Sequence, residues 1–168
     1  MREAQLRDAR QVAAVHVRAW QAAYRGLLSE ELLDQLSVQE RERRWHELLS
    51  ETHGRSFTLV SVDDGERVEG FCALSTPSRD ADADARTAEL AATYVEPDRW
   101  RVGVGTALVD AALARLRRGG YEQVMLWVFA ANDQARSFYR RFGFEPDGRV
   151  DQHDWSGGVV EVRLRVRL

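Results

Sequence analysis

The segment Val95-Glu96-Pro97-Asp98-Arg99-Trp100-Arg101-Val102-Gly103-Val104-Gly105-Thr106 constrains this chain more than any other stretch. Before it, Ala88 to Val95 reads as a strand, and Pro97 halts it. After it, Gly103 to Arg118 reads as a helix whose apolar stripe is Leu108, Val109, Ala112, Leu113 and Leu116. Gly119-Gly120 closes that helix, and Arg115, Arg117 and Arg118 complement its C-terminal dipole. A strand therefore feeds a helix through a Gly-x-Gly junction. At that N-terminus four backbone N–H groups lack intrahelical partners and the dipole is positive. Glycine has no Cβ, so phosphate oxygens can approach the backbone closely. Arg99 and Arg101 add positive charge, and the whole suits a di-anionic group such as a pyrophosphate. The same two glycines also fit a tight turn that binds nothing. A Rossmann dinucleotide loop fits poorly. It wants a third glycine where Leu108 stands and an acid at the end of the next strand, whereas Glu122 begins that strand.

The remaining pattern surrounds this junction with one α/β unit. Residues 2–7 read as a short strand, and Asp8 stands where a helix N-cap would. Val12, Val15, Ala19 and Ala23 then recur at helical spacing, with Trp20 and Tyr24 beside them, until Gly26 ends the run. Ser29 opens a short helix carrying Leu32, Leu33 and Leu36. A polar helix follows from Val38 to Leu49, with Trp45, Leu48 and Leu49 as its apolar side. Phe57 to Val62 and Val68 to Leu74 form a hairpin around Asp63-Asp64-Gly65. Residues 75–85 read as a loop, and Val124 to Phe129 as an apolar strand. At the end, Val160, Val162, Leu164, Val166 and Leu168 alternate with Glu161, Arg163, Arg165 and Arg167, the pattern of a half-buried antiparallel strand. The order is strand, helices, three strands, helix, strand, helix, two strands, which describes one α/β domain over residues 1–168 around a mixed sheet.

A second constellation follows the fifth strand. Asn132 can cap a helix running through Phe142, and Asp133 suits its first turn. Ala135, Phe138, Tyr139 and Phe142 share one face. Gly143 can take the left-handed conformation that ends a helix, with Phe144 packing back against it. All of this is compatible with structure alone, Tyr139 included, since a core tyrosine with a satisfied hydroxyl fits the same pattern.

Composition closes off several chemistries. The chain has 168 residues and a single cysteine, Cys72, which excludes an internal disulfide and a cysteine-rich zinc site. Cys72 reads as a small core residue in its strand. All 24 basic residues are arginine, so a Walker-type phosphate loop and a lysine Schiff base are both excluded. The net charge of −3 gives no overall attraction to nucleic acid. No apolar run approaches the ~20 residues that span a bilayer. No signal core follows Met1, so a cytoplasmic location is expected. His16, His46, His53 and His153 show no metal-ligand spacing and read as surface or loop residues; no metal is expected.

The two constellations, in this order and about 30 residues apart, resemble the cofactor-binding half of the GNAT superfamily of N-acetyltransferases. That family carries a Gln/Arg-x-x-Gly-x-Gly/Ala loop after its fourth strand and an Asn…Ala…Phe-Tyr…Gly-Phe helix after its fifth. The match falls on Gly103 and Gly105, then on Asn132, Ala135, Phe138, Tyr139, Gly143 and Phe144, within about Glu89 to Pro146. The run Trp20-Gln21-Ala22-Ala23-Tyr24-Arg25-Gly26-Leu27 resembles, more loosely, a bacterial branch similar to phosphinothricin-type acetyltransferases. One departure stands out: the family's Gln/Arg position is Trp100, and the glycine often found next is Arg101.

The resemblance implies a mostly antiparallel seven-stranded sheet flanked by about four to five helices, with the fourth and fifth strands splayed. It implies acetyl-CoA as cosubstrate. The backbone of Tyr94 and Val95 would pair with the pantetheine arm, and Val102, Gly103, Val104, Gly105 and Thr106 would hold the pyrophosphate with help from Arg101 or Arg99. Asn132, Ala135 and Phe138 would line the arm's channel. Tyr139 would be the general acid for the departing thiolate, since a phenol is protonated at neutral pH. Glu89 would be a base acting through water, unless it is simply a strand-end carboxylate in solvent. Trp20, Tyr24 and Trp45 would line the acceptor pocket or serve as core aromatics. The implied activity is acetyl transfer to a small-molecule amine by direct attack. A CoA-binding sensor without catalysis, or an acetyltransferase of protein N-termini or of aminoacyl-tRNA, are the alternatives. A homodimer is common in such relatives. The acceptor itself is not legible, since fold does not fix substrate.

Overall fold

The computed structural model describes residues 1–50, 56–152 and 154–168. Its strands are β1 (Arg2–Glu3), β2 (Ser56–Val62), β3 (Val68–Ser75), β4 (Thr87–Val95), β5 (Gln123–Phe129), β6 (Glu145–Gln152) and β7 (Val160–Arg167). Its helices are α1 (Ala9–Ala23), α2 (Glu30–Asp34), α3 (Val38–Ser50), α4 (Val104–Arg118) and α5 (Asp133–Arg140). They build one seven-stranded sheet in the order β1-β2-β3-β4-β5-β7-β6. Every neighbouring pair is antiparallel except β4 with β5.

That parallel pair is short. Thr87, Ala88 and Glu89 pair with Gln123, Val124 and Met125, and no pairing continues beyond them. Meanwhile β4 stays on β3 as far as Val95. The register of β3 against β4 slips between Ala73 and Leu74, so Ala91 is an extra residue, a β-bulge just past the last β4–β5 pair. Bulges bend a strand and raise its local twist, which here turns β4 away from β5 and opens a wedge in the sheet.

Each face of the sheet has its own core. On one, the α4 stripe Leu108, Val109, Ala112, Leu113 and Leu116 packs on Leu59, Cys72, Leu74, Ala88, Leu90, Val124, Leu126 and Leu164, joined by Tyr139 and Phe144. Each such Leu or Val contributes about 1.5–3 kcal/mol by leaving water. On the other, α1 and α3 cover Val60, Val68 and Phe71 through Val12, Ala13, Val15 and Trp45. Strand alternation fixes which residues face which core. Ala88 and Leu90 point to the α4 side, so Glu89 points to the α1 side. Val124, Leu126 and Val128 do the same on β5, which leaves Met125, Trp127 and Phe129 opposite.

Several element ends differ from the sequence reading. β1 stops at Glu3, and Leu6–Asp8 is a turn of 3-10 helix rather than strand. The Asp8 carboxylate does not cap α1. It accepts from Gln5 N at 2.7 Å and from both terminal nitrogens of Arg2, which holds it below the usual carboxylate range. α1 ends at Ala23, ahead of Gly26. His16 is buried, not at the surface: its Nδ1 accepts from Trp45 Nε1 at 3.2 Å. His46 is exposed, while His53 and His153 lie outside the described residues. No helix among the described residues is long and apolar enough to cross a membrane.

Candidate active site

The wedge between β4 and β5 is one end-to-end cleft of about 950 Å³. Its lining runs from Arg99, Arg101, Gly103 and Thr106, past Val95, Thr93, Asn132, Phe138 and Tyr139, to Trp20, Tyr24, Phe129, Trp155 and Glu161.

At the first end, Gly103 is the N-cap residue of α4 with φ +96°, the left-handed region that glycine tolerates and side chains avoid. It offers no capping side chain, so the first-turn N–H groups of α4 are left facing outward. A Cβ built on Gly103 meets nothing within 4 Å, so the space beside this helix end is open. Arg101 beside it also has positive φ, at 63°. Arg99 pairs with Glu69 at 2.6 Å. Upstream, the buried Glu96 is paired with Arg18 of α1, which ties the end of β4 to that helix. Val102 is exposed and the Val104 side chain is packed into the core, so only their backbones are available here.

Along the wedge, the backbone of β4 alternates. Glu96 N donates to Glu69 O at 2.8 Å, so the pair beyond Gly70–Val95 is hydrogen-bonded. Alternation in an antiparallel ladder then spends the Tyr94 N–H and C=O on β3 and turns those of Thr93 and Val95 into the gap. This reassigns the outward backbone groups from Tyr94 to Thr93. Trp100 supplies one partner: its Nε1 donates to Val95 O at 2.7 Å.

Tyr139 owes its placement to the end of its helix. Phe144 N bonds Tyr139 O at 3.3 Å and Gly143 N bonds Arg140 O at 2.9 Å, with Gly143 at φ +84°. This is a Schellman motif, and its apolar contact is the Phe144 ring against Tyr139, 5.7 Å between centroids. α5 consequently ends at Arg140, short of Phe142. Asn132 Oδ1 caps the other end by accepting from Ala135 N at 3.0 Å. Burial pushes the Tyr139 phenol well above its ordinary value, with hydrogen bonding to Thr93 opposing. It therefore stays protonated through the neutral range. Thr93 Oγ1 also donates to Cys72 Sγ at 3.5 Å, and burial pushes that thiol up to about 12, an inert core cysteine.

At the second end the wall is aromatic. Tyr24 and Tyr94 share a hydroxyl–hydroxyl hydrogen bond at 3.0 Å. Tyr24 packs edge-on to Phe129 at 4.9 Å and to Trp20 at 5.2 Å. Trp155 lies roughly parallel to Trp20 at 6.1 Å. Trp20 Nε1 is buried, and among the described residues it meets no acceptor at hydrogen-bond geometry. Trp45 is absent from this wall: it sits behind it, edge-on to Phe71 at 4.9 Å. Glu89 reaches the cleft, where it accepts from Arg79 N at 3.2 Å and Ser78 Oγ at 3.4 Å. Asp80 accepts from Trp127 Nε1 at 3.1 Å and pairs with Arg163 at 3.1 Å. Arg163, on the polar face of β7 by alternation, is 3% exposed and also holds Asp82 and Asp147. Those contacts tie the β3–β4 loop to β7 and close the side of the cleft. Among the described residues no group of three or more potential ligands could hold a metal ion.

A sheet opened between β4 and β5, with a helix N-terminus at one end of the opening and a buried phenol midway, is the build of an acetyltransferase. More specifically, the chain belongs to the acetyltransferase (GNAT) family, whose model matches residues 15–144. An uncharacterized N-acetyltransferase of Bacillus subtilis, YuaI, is 28% identical over 165 residues, covering 98% of this chain and 88% of that one. A mycothiol acetyltransferase of Kocuria rhizophila is 37% identical over 92 residues, but the match spans 54% of this chain and only 30% of that protein. Among solved structures, the PaiA N-acetyltransferase of Thermoplasma acidophilum in complex with coenzyme A aligns with TM-score 0.78 at 22% identity, covering 99% of this chain and 97% of that one. A structure named as a phosphinothricin N-acetyltransferase aligns with TM-score 0.75 at 20% identity, over 99% and 96%. At these identities the structures speak for the fold.

Proposed function

We propose that this chain transfers the acetyl group of acetyl-CoA to the amine of a small molecule by direct attack. One observation carries the reading: a single cleft runs from the open α4 N-terminus past Tyr139 to an aromatic end. The cofactor fits what the chain leaves open. Backbone N–H groups of Gly103, Val104, Gly105 and Thr106, with Arg101 alongside, suit a pyrophosphate. The outward groups of Thr93 and Val95 suit the amides of a pantetheine arm laid in the wedge as an extra strand.

The chemistry needs three services from the protein. The acceptor nitrogen must arrive neutral, and Glu89 is the candidate to take its proton through water. The Thr93 N–H, aimed into the gap, stabilises the negative charge that develops on the carbonyl oxygen. As the new C–N bond forms and the C–S bond breaks, Tyr139 gives its proton to the leaving sulfur. Tyr139 later regains a proton from solvent or from the acceptor side. No covalent enzyme adduct is involved.

Calorimetry with acetyl-CoA on the wild type and Gly103→Trp tests the reading. Binding that weakens at least tenfold in the variant supports it. A folded wild type that does not bind acetyl-CoA overturns it.

A further inference from the structure

Glu89 stands where the sheet opens. It pairs with Met125 in the last step of the parallel ladder, and it lines the cleft. Its carboxylate is held by consecutive residues of the β3–β4 connection. Ser78 Oγ and Arg79 N both reach the same oxygen, Oε2, at 3.4 and 3.2 Å. The Arg79 guanidinium turns elsewhere, and its Nε donates to Ser75 Oγ at 3.2 Å. Ser78 Oγ also lies 3.2 Å from Met125 Sδ. Its one hydrogen goes to the carboxylate, because a charged oxygen is a far stronger acceptor than a thioether. Among the described residues Glu89 Oε1 has no hydrogen-bond partner.

The segment that grips Glu89 is itself fixed on both sides. Ser78 N donates to Thr87 O at 2.7 Å, at the start of β4. Asp80 N donates to Ser78 Oγ at 3.1 Å, which leaves that hydroxyl to act as a donor. The Asp80 carboxylate then accepts from Trp127 Nε1 on β5 and pairs with the buried Arg163 on β7. The two walls of the wedge are thus joined through the loop that holds Glu89. A glutamate carboxylate alone turns over a broad range about its last torsion. With Oε2 held by two donors, Oε1 is presented in one direction.

We propose that Ser78 is a positioning residue for Glu89: with the Arg79 N–H it fixes Oε2, so that Oε1 is the atom that takes the acceptor's proton. Asp80 anchors the pair through Arg163. This rests on the acetyl-transfer reading above, in which Glu89 is the base. Ser78 touches no reacting atom. In each turnover Oε1 accepts one proton released by the acceptor nitrogen and passes it to solvent, while Oε2 keeps its two donors.

The test uses the whole chain at saturating acetyl-CoA, with 1-aminobutane, benzylamine and 2-phenylethylamine as acceptors and release of the CoA thiol as readout. Wild type, Ser78→Ala, Ser78→Thr, Glu89→Gln and the double variant Ser78→Ala with Glu89→Gln are compared on the fastest of these amines. Ser78→Ala should lower kcat about 5- to 50-fold, part of the ~10²-fold or more that a general base supplies, with KM for acetyl-CoA within about twofold. Ser78→Thr keeps the hydroxyl and should recover most of the loss. In the Glu89→Gln background, removing the hydroxyl should cost less than about twofold, because the group it acts through is already gone. A serine with a purely structural role would cause the same loss in both backgrounds, and that additivity overturns the proposal. An unchanged kcat in a folded Ser78→Ala, or in Glu89→Gln, overturns it as well. Calorimetric binding of acetyl-CoA in the same preparations separates the two levels. A wild type that binds acetyl-CoA and acetylates none of the amines overturns the proposal and leaves the cofactor assignment standing. A wild type that does not bind acetyl-CoA overturns the acetyl-transfer reading itself.

Discussion

The indole of Trp100 donates to the carbonyl of Val95, five residues earlier, at 2.7 Å. That carbonyl faces the wedge, where a pantetheine amide would otherwise be its partner. Trp100→Phe keeps a ring and removes the donor, leaving a part-buried carbonyl unpaired at a cost of about 1–3 kcal/mol. The free protein should melt a few degrees lower. Acetyl-CoA should restore the missing bond, so the rise in Tm at saturating acetyl-CoA should exceed the wild-type rise. Thermal melts with and without acetyl-CoA check this, and an equal or smaller rise removes Val95 O from the cofactor contacts.

Tyr139→Phe removes the proposed acid and preserves the ring that packs on Phe144. Loss of a positioned proton donor lowers kcat about 10²-fold or more. The KM for acetyl-CoA should move less than threefold, and the Tm should hold. Steady-state kinetics would show a mainly structural Tyr139 by an unchanged kcat.

Much of this was legible in the sequence, and the reasons differ by residue. Gly103, Gly143 and Asn132 announce themselves because few residues can perform a left-handed turn or a side-chain cap. The splay was implied by resemblance alone, for the Ala91 bulge leaves no mark in an apolar strand. Glu161 and Arg163 read as a polar face because alternation says only that two faces differ. Whether the polar face meets water depends on the loop that folds over it, and here Asp80 and Asp82 arrive from the β3–β4 connection. His16 reads as a surface residue for a related reason: its burial is set by α3 and by Tyr94, neither adjacent in the chain.

His16 should make stability pH-dependent. Burial, with Arg41 adding to it, holds the imidazole at about 3 against an ordinary 6.5. The unfolded chain therefore binds a proton that the folded one refuses, and stability falls as pH drops from about 6.5 towards 3. At pH 5 the loss is roughly 2 kcal/mol. His16→Gln offers Trp45 an amide oxygen in place of Nδ1 and does not titrate. Denaturant titrations at pH 7.5 and 5 should show a smaller loss for the variant by about that amount. Parallel losses in both proteins would mean that His16 is protonated in the fold.

Arg163→Met should be costly. It leaves Asp80, Asp82 and Asp147 without their shared buried cation. Breaking a buried pair costs about 3–5 kcal/mol, and the partial exposure of the acids brings the figure to about 3 kcal/mol. Thermal melts should fall by roughly 6–12 °C. A shift under 2 °C would show that Arg165, Arg149 and solvent together satisfy the three carboxylates.

The ring of Tyr94 stacks on the buried His16 at 4.9 Å on one side and carries the hydroxyl bonded to Tyr24 on the other. One side chain is thus at once the ceiling of the α1–α3 interior and the floor of the aromatic end of the cleft, with no insulating layer between them. Repacking around His16, Trp45 or Phe71 would tilt that floor without altering any residue that an acceptor touches. On the proposed function, substrate preference can therefore drift by changes hidden in the interior, while the Gly103 end of the cleft, built on a separate helix, stays the same.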